Sequence, residues 1–316
     1  MTFGGLPLGV ADLICSNFFR GKLLSREIKR FKPDVIHIME TQHGGYLVDR
    51  SVKVKSECPK IVLSIWGSDL YWFQRFPRHQ SRIRSILTKV DLLVMECRRD
   101  QELARSLGYR GKFHQVMPAA GGMDTALLGQ KAQIMPPKDR KFIAVKGYSG
   151  FVGLGKDAIR VIERIEDQVK DFSVTVYSAG IGTWWFSRRL RKKMGARLIV
   201  ARKHALSKSQ IEHMFLNSRV ALGLSLSDGL PATVKEAMCM GAFPIQTSTS
   251  CAGEWFIDGV GGLIVPPNDI SATSAAVLRV LRDDQLVESA MRINLMESER
   301  LFSSKSLKEI ASTVYS

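Results

Sequence analysis

The stretch Ser225–Glu254 (SLSDGLPATVKEAMCMGAFPIQTSTSCAGE) narrows the possible folds of this chain more than any other. The apolar run Arg219–Leu224 leads into it and predicts a strand. Asp228 and Gly229 then make a turn. Pro231 suits the first helical position, where a missing N–H costs nothing. The helix should run through PATVKEAMCM and close at Gly241, a residue able to take the left-handed conformation that ends helices. Phe243–Gln246 reads as the next strand. A strand–turn–helix–strand unit leaves free backbone N–H groups at the helix start, and these, with the helix dipole, favour a phosphate or another anion. Thr233 adds a hydroxyl in the first turn. Glu236 lies one turn on, nearly on the same face, and can accept from hydroxyls beside the anion. Asp228, in the turn, can reach a second set. Two carboxylates are out of place around a bare phosphate. They suit a sugar nucleotide, which carries ribose and hexose hydroxyls on either side of a diphosphate.

Asp228, then Glu236, followed by Ala237, Met238 and Gly241, resembles the signature of the retaining glycosyltransferases of family 4, the group 1 transferases of GT-B fold. Glu254, Asp258-Gly259, Gly262 and Val265-Pro266-Pro267-Asn268-Asp269 are similar to that family as well. The likeness covers the second half of the chain most fully. It implies an α/β chain of two Rossmann-like domains facing a cleft. It also implies transfer of a sugar, with retention, from a nucleotide-diphosphate donor to a hydroxyl acceptor. The bacterial polysaccharide-synthesis type is the expected kind, with a surface polysaccharide or lipid-linked saccharide as acceptor. The family's leading acid is usually Glu. Here it is Asp228, whose shorter arm keeps the charge and changes the reach.

The formal net charge is +16, which calls for an anionic partner: nucleic acid, an acidic membrane face or phosphorylated small molecules. The basic residues are dispersed and no nucleic-acid recognition motif occurs, so nucleic acid is not expected. The cysteines form no C-x-x-C pair and suggest no zinc site. No apolar run approaches the roughly 20 residues of a membrane span, and the first residues do not read as a signal peptide. A cytoplasmic protein, touching an anionic membrane at its inner face if at all, is the expectation.

Residues 1–135 read as the acceptor-side domain. A helix is expected over 11–31, with strands at Val35–Met39, Ile61–Ile65, Asp91–Met95 and Phe113–Met117. The segment KPDVIHI resembles a strand that lies well inside the family's first domain, so that domain is expected to be shortened, with Gly4-Gly5 either a remnant of its glycine turn or a coincidence. The strand Ile61–Ile65 ends at Trp66-Gly67-Ser68-Asp69, and strand ends in open α/β sheets are where ligands bind. Asp69 reads either as an acceptor contact or as a turn and cap residue. Many family members carry His where Trp66 stands. Trp66 takes no proton but can stack on a sugar ring. Gln130–Arg140, with Pro136-Pro137, reads as a linker. The donor domain, 136–302, should begin with the strand Phe142–Val145 and a glycine-rich loop from Lys146 to Lys156 that suits a diphosphate. Further strands are expected at Val174–Tyr177 and Leu198–Ala201, with a basic helix carrying Trp184 and Trp185 between them. Ser207 and Gln210 fit a capping box. Helices are expected over 270–282 and 285–302. A tail helix within 303–316 should pack back on the first domain, as the resemblance implies.

The roles follow from that resemblance. Glu236 would hold the ribose. Asp228 would hold sugar hydroxyls and favour positive charge at the anomeric carbon. Lys156 would steady the departing diphosphate. Lys146, Gly147, Gly229, Leu230, Pro231, Thr233 and Glu254 would complete the donor site, with Trp66 and Asp69 on the acceptor side. No metal and no cofactor are expected, since no Asp-x-Asp motif occurs. Two alternatives share the fold: a non-catalytic GT-B-like binding or partner subunit, and a sugar-nucleotide epimerase.

Overall fold

Short apolar strands alternating with amphipathic helices build two parallel sheets, and the chain divides into two compact units around them. In this computed structural model residues 2–3, 6–7, 18–52 and 59–315 are described. Gly4-Gly5 and the part of the expected first helix over 11–17 lie outside the described residues. Unit 1 comprises Met1–Ala119 with Ser312–Ser316, and unit 2 comprises Ala120–Ala311. Residues 120–135, assigned to the first domain on sequence, thus cluster with unit 2.

In unit 1, Thr2–Phe3 (β1) pairs antiparallel with Leu6–Pro7 (β2). The main sheet has the order β3–β4–β5–β6, from Val35–Met39, Lys60–Ile65, Leu92–Met95 and Lys112–Phe113, all parallel. Alternation along β4 sends Ile61, Leu63 and Ile65 into one core, shared with Ile83 and Ile86 of the helix Pro77–Leu87. Val62 faces the other way, with Leu92 and Val94, and packs against Val314 of the C-terminal segment. Next to this contact His37 bridges Ser64 Oγ (2.8 Å) and Tyr315 Oη (2.7 Å). The last residues of the chain therefore cover one face of the unit 1 sheet.

In unit 2 the sheet order is β12–β11–β10–β7–β8–β9. The strands are β7 Phe142–Lys146, β8 Ser173–Ala179, β9 Leu198–Arg202, β10 Ser218–Gly223, β11 Phe243–Thr247 and β12 Leu263–Val265. All run parallel, so both faces need covering. One face carries Ile143, Val145, Val174, Val176, Val220 and Leu222 against Ile159 and Ile162 of the helix Gly155–Ile165. The helices Lys208–Asn217 and Ala232–Met240 cover the other, where Tyr177 meets Phe215 edge-on at 5.6 Å. The capping box at Ser207 and Gln210 is present.

The expected linker is corrected. Asp124 accepts from the Leu127 N–H (3.2 Å) and starts a helix over Thr125–Gln133. At the end of that segment Arg140 is fully buried among backbone carbonyls. Its Nε donates to Met135 O (3.1 Å), Nη1 to Ser218 O (3.3 Å) and Met240 O (3.0 Å), and Nη2 to Ala132 O (2.7 Å). Burial pushes its pKa down to about 10, still far above neutrality, so the charge is kept. Replacing Arg140 with Met leaves those carbonyls without these donors and should destabilise the chain by about 3 kcal/mol, read as a shift in urea midpoint; Lys, whose three donors sit on one nitrogen and cannot span carbonyls reached from three guanidinium nitrogens, should rescue little of the loss.

Candidate functional site

In unit 2 the strand order reverses between β7 and β10, which are neighbours although β8 and β9 lie between them in sequence. The connections after these two strands leave in different directions, and a crevice opens at their C-terminal ends. Two strand-to-helix turns wall it. The first runs from Lys146 to the helix Gly155–Ile165, and the second from Gly223 to the helix Ala232–Met240.

The two turns are stitched together. Leu154 N donates to Leu224 O (3.1 Å) and Leu226 N to Val152 O (2.7 Å), with an antiparallel bridge between Gly153 and Ser225. Ser225 is pinned in turn by Thr247, whose Oγ1 accepts the Ser225 N–H (3.0 Å) and donates to Ser225 O (2.7 Å). Cys251 N donates to Gly229 O (3.0 Å), so the segment after β11 holds the Gly229 turn. Two glycines allow the close fit. A Cβ on Gly155 would lie 2.5 Å from Gly147 O, and one on Gly147 would lie 2.7 Å from Val176 Cγ1.

Into this crevice the fold brings Lys146, Asp228 and Glu236. Lys146 Nζ lies 3.7 Å from Asp228 Oδ2, each side chain about a quarter exposed (24% and 26%). Glu236 is half-buried, and burial pushes its carboxyl up to about 7; Lys235 and Lys146 pull it partly back. Desolvation therefore outweighs two nearby cations. The helix Ala232–Met240 begins at Pro231 without a side-chain cap and ends at Gly241 in the left-handed region (φ 71°). Val234 and Lys235 donate to Pro231 O, while the N–H groups of Ala232 and Thr233 meet no acceptor among the described residues. The helix mouth is thus open to an anion.

Other expected residues take different positions. Lys156 is exposed on the first turn of its helix, and a Cβ placed on Gly182 would lie 3.8 Å from its Nζ. Glu254 is exposed in the short turn Ala252–Glu254. The Thr233 hydroxyl does not face the helix mouth. It is buried and bonds Tyr177 Oη at 2.6 Å, so only the Thr233 backbone serves the crevice. Trp66 and Asp69 belong to unit 1. Trp66 is 42% exposed at the end of β4. Asp69 is buried: Oδ1 accepts from Trp66 N (2.8 Å), and Oδ2 from Thr41 N (3.2 Å) and Thr41 Oγ1 (3.1 Å). Its carboxyl thus ties the ends of β3 and β4 together and fixes the Trp66 backbone. Burial pushes it up to about 7.

Two contributors escaped the sequence reading. Tyr177 closes the back of the site, its phenol held far above the usual range by burial and then by the Glu236 carboxylate, so it stays neutral. Lys235 is buried and donates to Ala120 O and Gly121 O (3.1 Å each), anchoring the helix that carries Glu236. A lysine set between Val234 and Ala237, among the apolar positions of that helix, is the signal that flags it.

The family description "Glycosyl transferases group 1" matches residues 143–294, and "Glycosyl transferase 4-like" matches residues 16–97. No curated protein matches the chain. Among solved structures it is similar to a sucrose-phosphate synthase from Thermosynechococcus elongatus (14% identity, TM-score 0.72, covering 93% of this chain and 76% of that one). It is similar also to a UDP-forming trehalose-phosphate synthase from Burkholderia xenovorans, solved with glucose-6-phosphate (14%, 0.70, 95% and 77%). A third is Anabaena HepE in complex with UDP and glucose (14%, 0.70, 93% and 82%). At such identities the likeness establishes the fold, GT-B.

The raised Glu236 pKa has a stability consequence of definite sign. The folded chain holds that proton more tightly than the unfolded chain, so ionisation costs stability as pH rises from the ordinary value of 4.5 towards about 7, and the full cost applies above that. Glu236→Gln removes it. At about pH 8 the variant should be more stable than the wild type by on the order of 1–2 kcal/mol, and the two should converge at pH values where the wild-type carboxyl is protonated; urea titrations at a series of pH values check this.

Proposed function

The chain is a glycosyltransferase of GT-B fold, and on that premise we propose that it moves a sugar from a nucleoside-diphosphate donor to a saccharide hydroxyl with retention. The observation that carries the reading is the meeting of Lys146, Asp228 and Glu236 beside an uncapped helix start where the strand order reverses. The diphosphate lies against the Ala232 and Thr233 N–H groups, with Lys156 as its second cation. Glu236 accepts from the ribose hydroxyls. Asp228 accepts from the sugar and offsets positive charge on the anomeric carbon. Lys146, paired with Asp228, is in reach of the leaving oxygen, where negative charge grows. Gly147, Gly229, Leu230 and Pro231 shape the walls, and Glu254 reaches in from the segment after β11.

In the transfer the bond between the anomeric carbon and the phosphate oxygen breaks. The acceptor oxygen bonds that carbon from the face the diphosphate leaves, and the acceptor proton passes to the departing phosphate. Positive electrostatics at the helix mouth and on two lysines supply the leaving-group stabilisation, so the reading needs no metal and no further cofactor. Trp66, exposed at the end of β4, gives the acceptor sugar an aromatic face, and Asp69 acts by holding Trp66 in place. A growing surface polysaccharide or a lipid-linked saccharide, met at the cytoplasmic face of a membrane, is the acceptor this reading favours. HepE, solved with UDP and glucose, makes a UDP-sugar the first donor to test.

The test is a panel of labelled nucleotide sugars, each with and without a lipid extract as acceptor source. Transfer that depends on added acceptor supports the reading. Donor epimerisation without acceptor, or donor binding without turnover, sinks it. Glu236→Ala should weaken donor binding roughly 10–100-fold, and Asp228→Asn should lower kcat by about 10²–10³-fold with a smaller change in KM. Because the ionised Glu236 accepts the ribose bonds, donor affinity should rise with pH and level off above about 7 in the free enzyme, and Glu236→Gln should flatten that profile.

A further inference from the structure

After β8 the chain turns at Gly180 into the helix Ile181–Phe186 and, through Ser187, into the helix Arg188–Met194. The inward side of this pair is well built. Thr183 and Ser187 are fully buried, Leu190 and Met194 enter the unit 2 core, and Ser187 Oγ donates to Trp184 O (2.8 Å). The outward side carries Ile181, Trp185 and Phe186, which are 69%, 54% and 39% exposed. A tightly packed element that presents three bulky apolar side chains to water has a use for them.

The charges beside them identify that use. Arg188, Arg189, Lys192 and Lys193 are all exposed on the second helix. Arg188 lies over the Trp185 ring (4.9 Å) and Arg160 over Phe186 (5.2 Å), so aromatic and cationic groups form one mixed surface. The acids in contact with it are few. Glu166 takes Lys193, Asp157 takes Arg160 (2.6 Å), and Glu163 lies 3.9 Å from Arg189. Among the described residues no acid forms an ion pair with Arg188 or Lys192.

We infer that this pair of short helices docks unit 2 onto an anionic lipid surface. Ile181, Trp185 and Phe186 enter the boundary between headgroups and acyl chains, and Arg188, Arg189 and Lys192 engage lipid phosphates. Charge complementarity selects the occupant: exposed cations next to an apolar ridge match a bilayer that is anionic outside and hydrocarbon beneath. The aliphatic Ile181, the most exposed of the three, offers nothing to a nucleic-acid base, which would stack on aromatic rings alone. The surface adjoins the donor loop, since Lys156 lies over Gly182. A chain docked through it holds its donor crevice near the membrane, where a lipid-linked acceptor would be.

The experiment is flotation of the full chain with vesicles of phosphatidylcholine alone and of phosphatidylcholine mixed with phosphatidylglycerol. The wild type should prefer the anionic vesicles by on the order of a hundredfold, with the preference falling as salt rises. The Ile181→Ser/Trp185→Ser variant should bind anionic vesicles roughly tenfold more weakly, and Arg188→Glu/Lys192→Glu should abolish the preference for anionic lipid. Thermal unfolding like the wild type shows that the variants are folded, and the single variant Trp185→Ser serves if a double one is not. Equal binding to both vesicle types, flotation of both variants like the wild type, or tighter binding to single-stranded RNA or polyglutamate than to vesicles would overturn the inference. Flotation needs no donor, so its outcome is independent of nucleotide-sugar binding, and the two readings fail separately.

Discussion

The reversal of strand order between β7 and β10 is the constraint on which the functional half of the molecule rests. Two parallel strands side by side normally send their following turns the same way, and the turns fill the space above the sheet. Here the helix after β7 packs on one face, with Ile159 and Ile162 against Val145 and Leu222. The helix after β10 packs on the other, over Tyr177. The space between the two turns stays open, and the bonds between Leu154 and Leu224 and between Leu226 and Val152 set its width. Lys146 and Asp228 meet because each is placed at a strand end bordering that gap.

Electrostatics in the gap are decided by burial more than by pairing. Glu236 has two lysines near it and still has its carboxyl pushed up, because the cost of burying the charge outweighs their attraction. Lys235 donates its hydrogen bonds to the carbonyls of Ala120 and Gly121, not to the carboxylate. Lys146 leans towards Asp228, at 3.7 Å, too long for a hydrogen bond and close enough for attraction. Glu236 is therefore an acceptor held ready without an internal donor among the described residues. A group in that condition favours a ligand that brings hydroxyls, since each bond formed recovers part of the desolvation cost.

Most of the local architecture was legible in the sequence where one rule acted alone. The strand Val35–Met39, the helix Ile270–Arg282, the capping box at Ser207 and the left-handed stop at Gly241 each follow from apolar periodicity or cap chemistry. The failures occur where tertiary contacts override local composition. The polar segment 130–140 resembles a linker because the reason for its order, Arg140 bonding four distant or neighbouring carbonyls, is invisible in the segment itself. The strand Leu263–Val265 is too short to show a period. Thr233 was placed correctly on its helix, but its rotamer answers to Tyr177, 56 residues earlier. Asp69 had two readings on sequence, and the three bonds its carboxyl accepts inside unit 1 favour the structural one.

Arg140 connects stability to the candidate chemistry. The helix Ala232–Met240 is short, and its dipole concentrates positive charge at the end facing the crevice and negative charge at the other. Arg140 Nη1 donates to Met240 O at that negative end, and Nη2 to Ala132 O near the end of the helix Thr125–Gln133. The negative end is thereby neutralised by a buried, permanently charged group, while the positive end is left uncapped. A buried cation beyond one end and open N–H groups at the other both raise the potential felt by an anion in the crevice. The arrangement also explains why Gly241 is required: a Cβ there would lie 3.1 Å from Arg140 Nη2 and 3.0 Å from Met291 Cγ, and its φ of 71° already disfavours other residues. The turn that ends the helix and the cation that neutralises it thus occupy the same small volume, and the strength of the anion site depends on both fitting.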